Sequence, residues 1–340
     1  MLSRSIVMLV LALAPGAAWG FHSGGAGACS GCHGGHDATS SGSLLRSPNP
    51  SDICLNCHET PNGNTWGKDL VLPGPTYGGG PFVFLGEDNL NDGPDAALSP
   101  IGGHRAGHSI VSFAKGTSSD PDHASAPGGT YPSSSLTCIS CHDPHGKGGH
   151  YRLLYGADSG PSRSQGHEFV FNTPAPEAVG IDVEGPPESE GNHNAYRSGM
   201  SAWCGNCHGA YHASGATGFR HPVDVALGVE EVNTYNLYRG TGFLDGTPTD
   251  SYLPAVPLEV SGGTRSFRGP ATGTSRISCL SCHRAHASSG PRAGRWDFTI
   301  STWVEEGKAS GSWPIPNPYE TSAGPTQKPL CEKCHGPSGP

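Results

Sequence analysis

Twelve cysteines and 18 histidines are the residues of this 340-residue chain best equipped for chemistry. Every cysteine belongs to a Cys-x-x-Cys-His unit: Cys29/Cys32-His33, Cys54/Cys57-His58, Cys138/Cys141-His142, Cys204/Cys207-His208, Cys279/Cys282-His283 and Cys331/Cys334-His335. Two thiols and a histidine at this spacing could serve a zinc ribbon, a redox dithiol or a disulfide. They also form the attachment signature of c-type haem, in which both thiols become thioethers and the adjacent histidine reaches the iron. Histidine is about one residue in twenty here, so six chance placements directly after six Cys-x-x-Cys pairs would have odds of roughly 10⁻⁸. The haem reading therefore predicts six covalently attached haem c groups and leaves no cysteine for a disulfide.

Each iron then needs a second axial ligand. Of three methionines, Met1 and Met8 fall in the leader described below, so Met200 alone remains. It stands in Gly199-Met200-Ser201-Ala202-Trp203, where packing is the simpler role. Twelve histidines remain beyond the six proximal ones, and bis-histidine ligation with low-spin, relatively low-potential iron is the economical expectation. Four motifs carry a histidine just downstream: His36, His145, His212 and His286. A residue three or four positions past the proximal histidine cannot reach the far face of its own macrocycle. It can reach the iron of a neighbouring haem, or else bond a haem propionate. His108 and His221 are further ligand candidates between motifs. His104, His123, His150, His167 and His193 lie in Gly/Ser/Pro-rich or acidic stretches and read first as solvent-exposed or propionate-bonding, with an iron-ligand role the secondary reading.

The elements that must position these groups are sparse. Only 34% of the chain is hydrophobic, while 52 glycines and 31 prolines make up nearly a quarter of it. Side chains alone bury too little apolar area to offset the conformational entropy of so long a chain, and the rigid apolar haem plates are the missing core. The motifs are spaced 25, 84, 66, 75 and 52 residues apart, first cysteine to first cysteine. The wide gaps read as loop, as at Pro73-Gly74-Pro75 and Pro127-Gly128-Gly129. Strands are expected at Phe82–Leu85, Phe169–Phe171 and Phe298–Trp303, and helices at Gly199–Ala213 and Val225–Tyr238. The fold class expected is mostly irregular, with short helices and a few short strands. Residues 1–20 read as a secretory signal peptide: Arg4, the apolar Ile6–Ala14, and Ala18-Trp19-Gly20 before Phe21. That apolar run is too short for a membrane span. Cys29, a conceivable lipid anchor after Ala26-Gly27-Ala28, lies well beyond it and belongs to the first motif. Residues 21–340 form one domain. Net charge is -9, which argues against a nucleic-acid partner, and acidic Glu184–Glu190 reads as a solvated loop.

These residues resemble the outer-surface hexahaem c-type cytochromes of metal-reducing bacteria that polymerise into extracellular nanowires, the OmcS type. The resemblance covers most of the mature chain. It lies in Phe21-His22-Ser23-Gly24-Gly25 with the first motif, Gly107-His108-Ser109-Ile110-Val111, Ala126–Pro132, and Cys141-His142-Asp143-Pro144-His145-Gly146-Lys147. It continues in Gly199–Trp203 with the fourth motif, Arg220-His221-Pro222, Cys282–Ser288 and Leu330–His335. The resemblance implies loops wrapped round a chain of stacked haems in alternating parallel and perpendicular pairs, with bis-histidine iron throughout. It implies distal ligands drawn from His22, His36, His108, His145, His212, His221 and His286, seven candidates for six irons. It also implies that His36 ligates the haem held by Cys279/Cys282-His283 of the next subunit. The chain departs from the pattern at Glu59-Thr60-Pro61, which replaces a histidine-bearing stretch, and in its shorter gaps. Both differences bear on the subunit surface.

The function implied is electron transfer to extracellular acceptors such as metal oxides, by a secreted protein reaching the cell exterior through the periplasm. Redox-partner cytochromes and identical subunits are its expected partners. A multihaem reductase would need an iron with an open position, but all six motifs end in histidine and spare histidines abound. A monomeric periplasmic shuttle differs from the conduit in assembly alone. The chain has no phosphate-cradling loop and no nucleophile with a supporting base, so no enzyme is expected.

Overall fold

In a computed structural model of the chain, residues 26–39, 44–59, 65–67, 78–86, 90–91, 100–146, 150–181, 191–212, 221–237, 252–253, 256–267, 269–270, 273–288, 291–295, 309–310, 313–314 and 332–335 are described. The leader, His22, Cys331 and the strand expected at Phe298–Trp303 lie outside them. What is described is loop punctuated by short elements. The helices are α1 (Ala26–Cys32), α2 (Pro50–His58), α3 (Met200–Cys204), α4 (Gly209–His212), α5 (Val229–Leu237), α6 (Cys279–Cys282) and α7 (Glu332–His335). A four-stranded sheet joins β5 (Glu177–Val179), β6 (Ala195–Ser198), β7 (Glu259–Val260) and β8 (Ser275–Arg276) in that order. Its centre is the parallel β6–β7 pair, flanked by antiparallel neighbours. Two-stranded hairpins pair β1 (Leu90–Asn91) with β2 (Pro100–Ile101), β3 (Ser162–Ser164) with β4 (His167–Phe169), and β9 (Ala309–Ser310) with β10 (Trp313–Pro314).

The apolar residues collect in small clusters, and each abuts haem motifs. Leu55, Trp66, Phe82, Phe84, Leu85, Ala106, Ile110 and Ala287 pack beside Cys138. Tyr196, Met200 and Leu280 lie between the fourth and fifth motifs, so Met200 has the packing role its surroundings suggested. Leu227, Val232, Tyr235, Leu258, Val260 and Ile277 pack against Cys334 of the sixth. Beside this last cluster the buried Lys333 sets its ammonium 4.4 Å from the Tyr235 ring.

Several local expectations change. Phe82–Gly86 is a 3-10 turn, not a strand. Phe82, Phe84 and Leu85 are all buried, a pattern that the alternation of a strand cannot satisfy. The strand expected at Phe169–Phe171 ends at Phe169, where Phe171 turns in to stack 5.4 Å from Trp203. The helix expected at Gly199–Ala213 is two pieces, α3 and α4. Asn206 interrupts it: its Oδ1 accepts from Asn172 N–H (2.8 Å) and its Nδ2 donates to Thr173 (2.7 Å). The second helix starts at Val229 because Ala226 and Leu227 are extended along β8, Leu227 N–H donating to Ser275.

Candidate haem and iron-ligand sites

A Cys-x-x-Cys-His segment can present both sulfurs to one edge of a plate if it forms a single helical turn, because residues three apart share a face. The chain builds that turn repeatedly. The proximal histidine N–H donates to the carbonyl of the first cysteine in four motifs: His33 to Cys29 (2.8 Å), His142 to Cys138 (3.1 Å), His208 to Cys204 (3.0 Å) and His283 to Cys279 (3.0 Å). Cys54, Cys57 and His58 lie within α2, where Asn49 caps the first turn by accepting from Ser51 N–H at 2.8 Å. The third and fifth motifs open alike. Ser140 Oγ accepts from Thr137 N–H (2.9 Å) and Ser281 Oγ from Ser278 N–H (3.0 Å).

The motifs also dock in twos. Cys138 N–H donates to Ser51 Oγ (3.3 Å) and Cys279 N–H to Ser201 Oγ (3.1 Å). Those contacts place Cys54 against Cys138 and Cys204 against Cys279, thiol on thiol. Both pairings perturb the thiols, and burial raises Cys141 to about 12. None of the described cysteines is in a disulfide.

The histidines show a second regularity. A metal-ligating imidazole usually donates one ring N–H to an acceptor, which fixes the tautomer and frees the other nitrogen. His142 Nδ1–H donates to Arg152 O (2.8 Å), His208 to Pro127 O (2.8 Å) and His283 to Arg292 O (3.0 Å). Among the distal candidates, His108 donates to Ala285 O (2.6 Å), His286 to Gly80 O (3.1 Å) and His221 to Pro222 O (3.2 Å). Desolvation is the chief cause lowering His286 to about 3 and His108 to about 4. His108 keeps accessible surface, so burial bears on it less than on His286. Both rings are thus neutral, the form that binds metal.

Four distal candidates then face proximal histidines. Ring centroids are 6.4 Å apart for His33–His145, 6.2 Å for His142–His286, 5.9 Å for His208–His108 and 6.0 Å for His335–His221. Two imidazoles sharing one metal at bonds of about 2 Å bring their centroids to roughly 6 Å. The spacing fits a bis-histidine haem at each of the four, and in the His142–His286 and His208–His108 pairs both rings are tied outward through Nδ1. His145 and His286 thus stand opposite the proximal histidine of another motif, as their position three residues past their own requires. His36 lies exposed on the turn Gly35–Asp37.

His212 is arranged differently: its Nε2 lies 2.9 Å from Asp224 Oδ2. Of the histidines set aside earlier, His104 pairs with Asp122, His123 with Asp120 and His150 with Asp158. His193 corrects the expectation of exposure. It is buried, stacked 3.8 Å from Tyr252, with both ring nitrogens beside carbonyl oxygens.

Sequence reasoning missed the backbone that aims the proximal rings. In the third motif Asp143 N–H donates to Leu153 O and Tyr155 N–H to Cys141 O. In the fifth, Arg284 donates to Ala293 and Arg295 to Cys282; in the first, Gly34 donates to Leu44 and Arg46 to Cys32. Each strap turns through left-handed residues: Leu44, Arg152 with Leu153, and Arg292 with Ala293. The only sequence signal was a recurring aliphatic or arginine pair 9 to 11 residues past the proximal histidine. The fourth motif uses the Pro127-Gly128-Gly129 loop instead. A Cβ at Gly129 would lie 1.7 Å from Cys207 O, so no other residue fits there.

Comparisons with known proteins find relatives among multihaem c-type cytochromes. Residues 22–63, spanning the first two motifs, match the family described as a doubled CXXCH motif. The chain is 30% identical, over an alignment 430 positions long, to the C-type cytochrome OmcS of Geobacter sulfurreducens, covering 98% of each protein. Two solved structures from that organism, the Outer Membrane Cytochrome S filament and the OmcS nanowires, match with TM-scores of 0.72 and 0.69. Their identities are 28% and 26%, and each match covers 91% of this chain and 98% of theirs. Among the described residues no helix is long and apolar enough to cross a membrane.

Proposed function

Because this chain belongs to the family of the C-type cytochrome OmcS, we propose that it is a six-haem, bis-histidine conduit that polymerises head to tail outside the cell. It is an electron-transfer protein and not an enzyme, and it carries haem c in a filament serving extracellular electron transfer. The observation that carries the finer reading is the set of four histidine pairs at 5.9 to 6.4 Å.

Bound haem supplies a one-electron iron couple, and two histidine ligands favour a low potential. The chain's own residues do the rest. The cysteine pairs fix each plate by two bonds, and the carbonyls of Arg152, Pro127 and Arg292 hold proximal rings in one tautomer. Contacts between Cys54 and Cys138, and between Cys204 and Cys279, bring the attachment points of neighbouring motifs together, where bound plates would lie close enough for electron hopping. His145 and His286 bind one motif to another. His36, exposed after the first motif, donates its imidazole to the Cys279/Cys282 haem of an adjoining subunit. A contact of that kind does not close and propagates as an open filament. The chain leaves through the periplasm after losing residues 1–20, receives electrons from partner cytochromes and delivers them to extracellular acceptors such as metal oxides.

Electron microscopy of the native extracellular fraction beside a His36→Ala variant tests this. Filaments in the first that vanish in the second are the expected result. Compact single particles in both would leave a six-haem shuttle without a filament.

A further inference from the structure

Among the described residues, four histidines have Nε2 committed to an oxygen. His104 Nε2 lies 3.1 Å from Asp122 Oδ2, His150 Nε2 3.3 Å from Asp158 Oδ2, His193 Nε2 2.7 Å from Phe267 O and His212 Nε2 2.9 Å from Asp224 Oδ2. The rings that stand opposite a proximal histidine use the other nitrogen where a ring bond is present: His108, His221 and His286 are tied through Nδ1 to carbonyls, leaving Nε2 for a metal. His212 therefore sorts with histidines outside the ligand set, although its position three or four residues past a proximal histidine matches His36, His145 and His286.

Its partner is built in. Asp224 is a non-glycine residue at φ 61, a conformation that persists only where the surroundings impose it. They do so here: Asp224 N–H donates to Ile277 O (3.0 Å), and Ala226 bridges Arg276 of β8. The carboxylate is thereby fixed to the strand that leads directly into the fifth motif. His212 ends α4, which follows the fourth motif. The pair spans the same two motifs whose first cysteines, Cys204 and Cys279, touch.

The geometry points to His212 as a tether and not an axial ligand. Its Nε2–H donates to Asp224 and fastens the fourth motif to the fifth. Six candidates then remain for six irons: His22, His36, His108, His145, His221 and His286, with none to spare. This rests on the bis-histidine reading above but not on filament formation.

The test compares electron paramagnetic resonance spectra of full-length variants with wild type prepared alike. His212→Gln keeps a donor for Asp224 and cannot supply an imidazole. It should retain six haems and add no high-spin signal, as should His212→Ala if it folds. His145→Ala and His22→Ala should each turn one iron in six high-spin. New high-spin iron in His212→Gln, or none in His22→Ala, would overturn the assignment. Because loss of filaments would itself strip the Cys279/Cys282 haem of the imidazole from the adjoining subunit, variant and wild-type spectra are compared in preparations matched for filament content by electron microscopy.

Discussion

At Gly129 a single missing side chain decides whether the fourth motif can close. The Cys207 carbonyl occupies the space a Cβ would need, so Gly129→Ala must push the loop away and loosen Pro127 O from His208. Overpacking of this kind costs about 1–3 kcal/mol. We expect a matching fall in denaturant stability, with the fourth-motif haem the first to show altered spectra. Gly107 is similar: a Cβ there would lie 2.2 Å from His286 O, the acceptor of His108 N–H (2.8 Å). Both glycines were visible in the sequence as loop residues. That each abuts a segment carrying a proposed iron ligand was not, since the partners lie 78 and 179 residues away.

Among the elements, the short motif helices are joined in twos by one serine each. Ser51 in α2 accepts from Cys138 N–H and Ser201 in α3 from Cys279 N–H. Ser51→Ala and Ser201→Ala each strand a donor and should destabilise by about 1 kcal/mol, measured by chemical denaturation. Glu259 in β7 does related work at the start of α3: its buried carboxylate accepts from Gly199 N–H (3.3 Å) and Met200 N–H (3.1 Å). Burial is the largest influence and raises its pKa above the ordinary 4.5, while the two N–H donors partly oppose it. For a raised carboxylate, the associated stability is fully present below the unfolded-state pKa and is lost as pH rises through the folded one. Unfolding midpoints measured from pH 4 to 7 should therefore fall more steeply, relative to their acid value, in wild type than in Glu259→Gln. Equal slopes would remove Glu259 from the account.

For the whole molecule, no continuous core holds the described residues together. Three small clusters each lean on haem motifs, and the elements are mostly shorter than two helical turns. Chains this poor in burial need a prosthetic group to fold. The chain produced without haem attachment should show no cooperative thermal transition by near-ultraviolet circular dichroism, whereas the haem-loaded protein should melt cooperatively. A cooperative melt of the unattached chain would mean that the protein clusters suffice alone.

The amino-acid sequence by itself determined the covalent chemistry. The Cys-x-x-Cys-His pattern marks the chain locally for haem c attachment, because thioether formation needs only neighbouring residues. Composition likewise settled that the chain would be mostly loop, as 83 glycines and prolines (52 plus 31) leave few long elements. What only the tertiary structure decided was pairing. His145 stands opposite His33 and His108 opposite His208 through contacts 112 and 100 residues apart, and no local pattern encodes which ring meets which. His36 and His212 look alike in sequence, each just past a motif. Asp224, held left-handed against β8, sets the second apart by occupying its Nε2. Residue type and spacing fix what a histidine can do, and the fold fixes which nitrogen is left to do it.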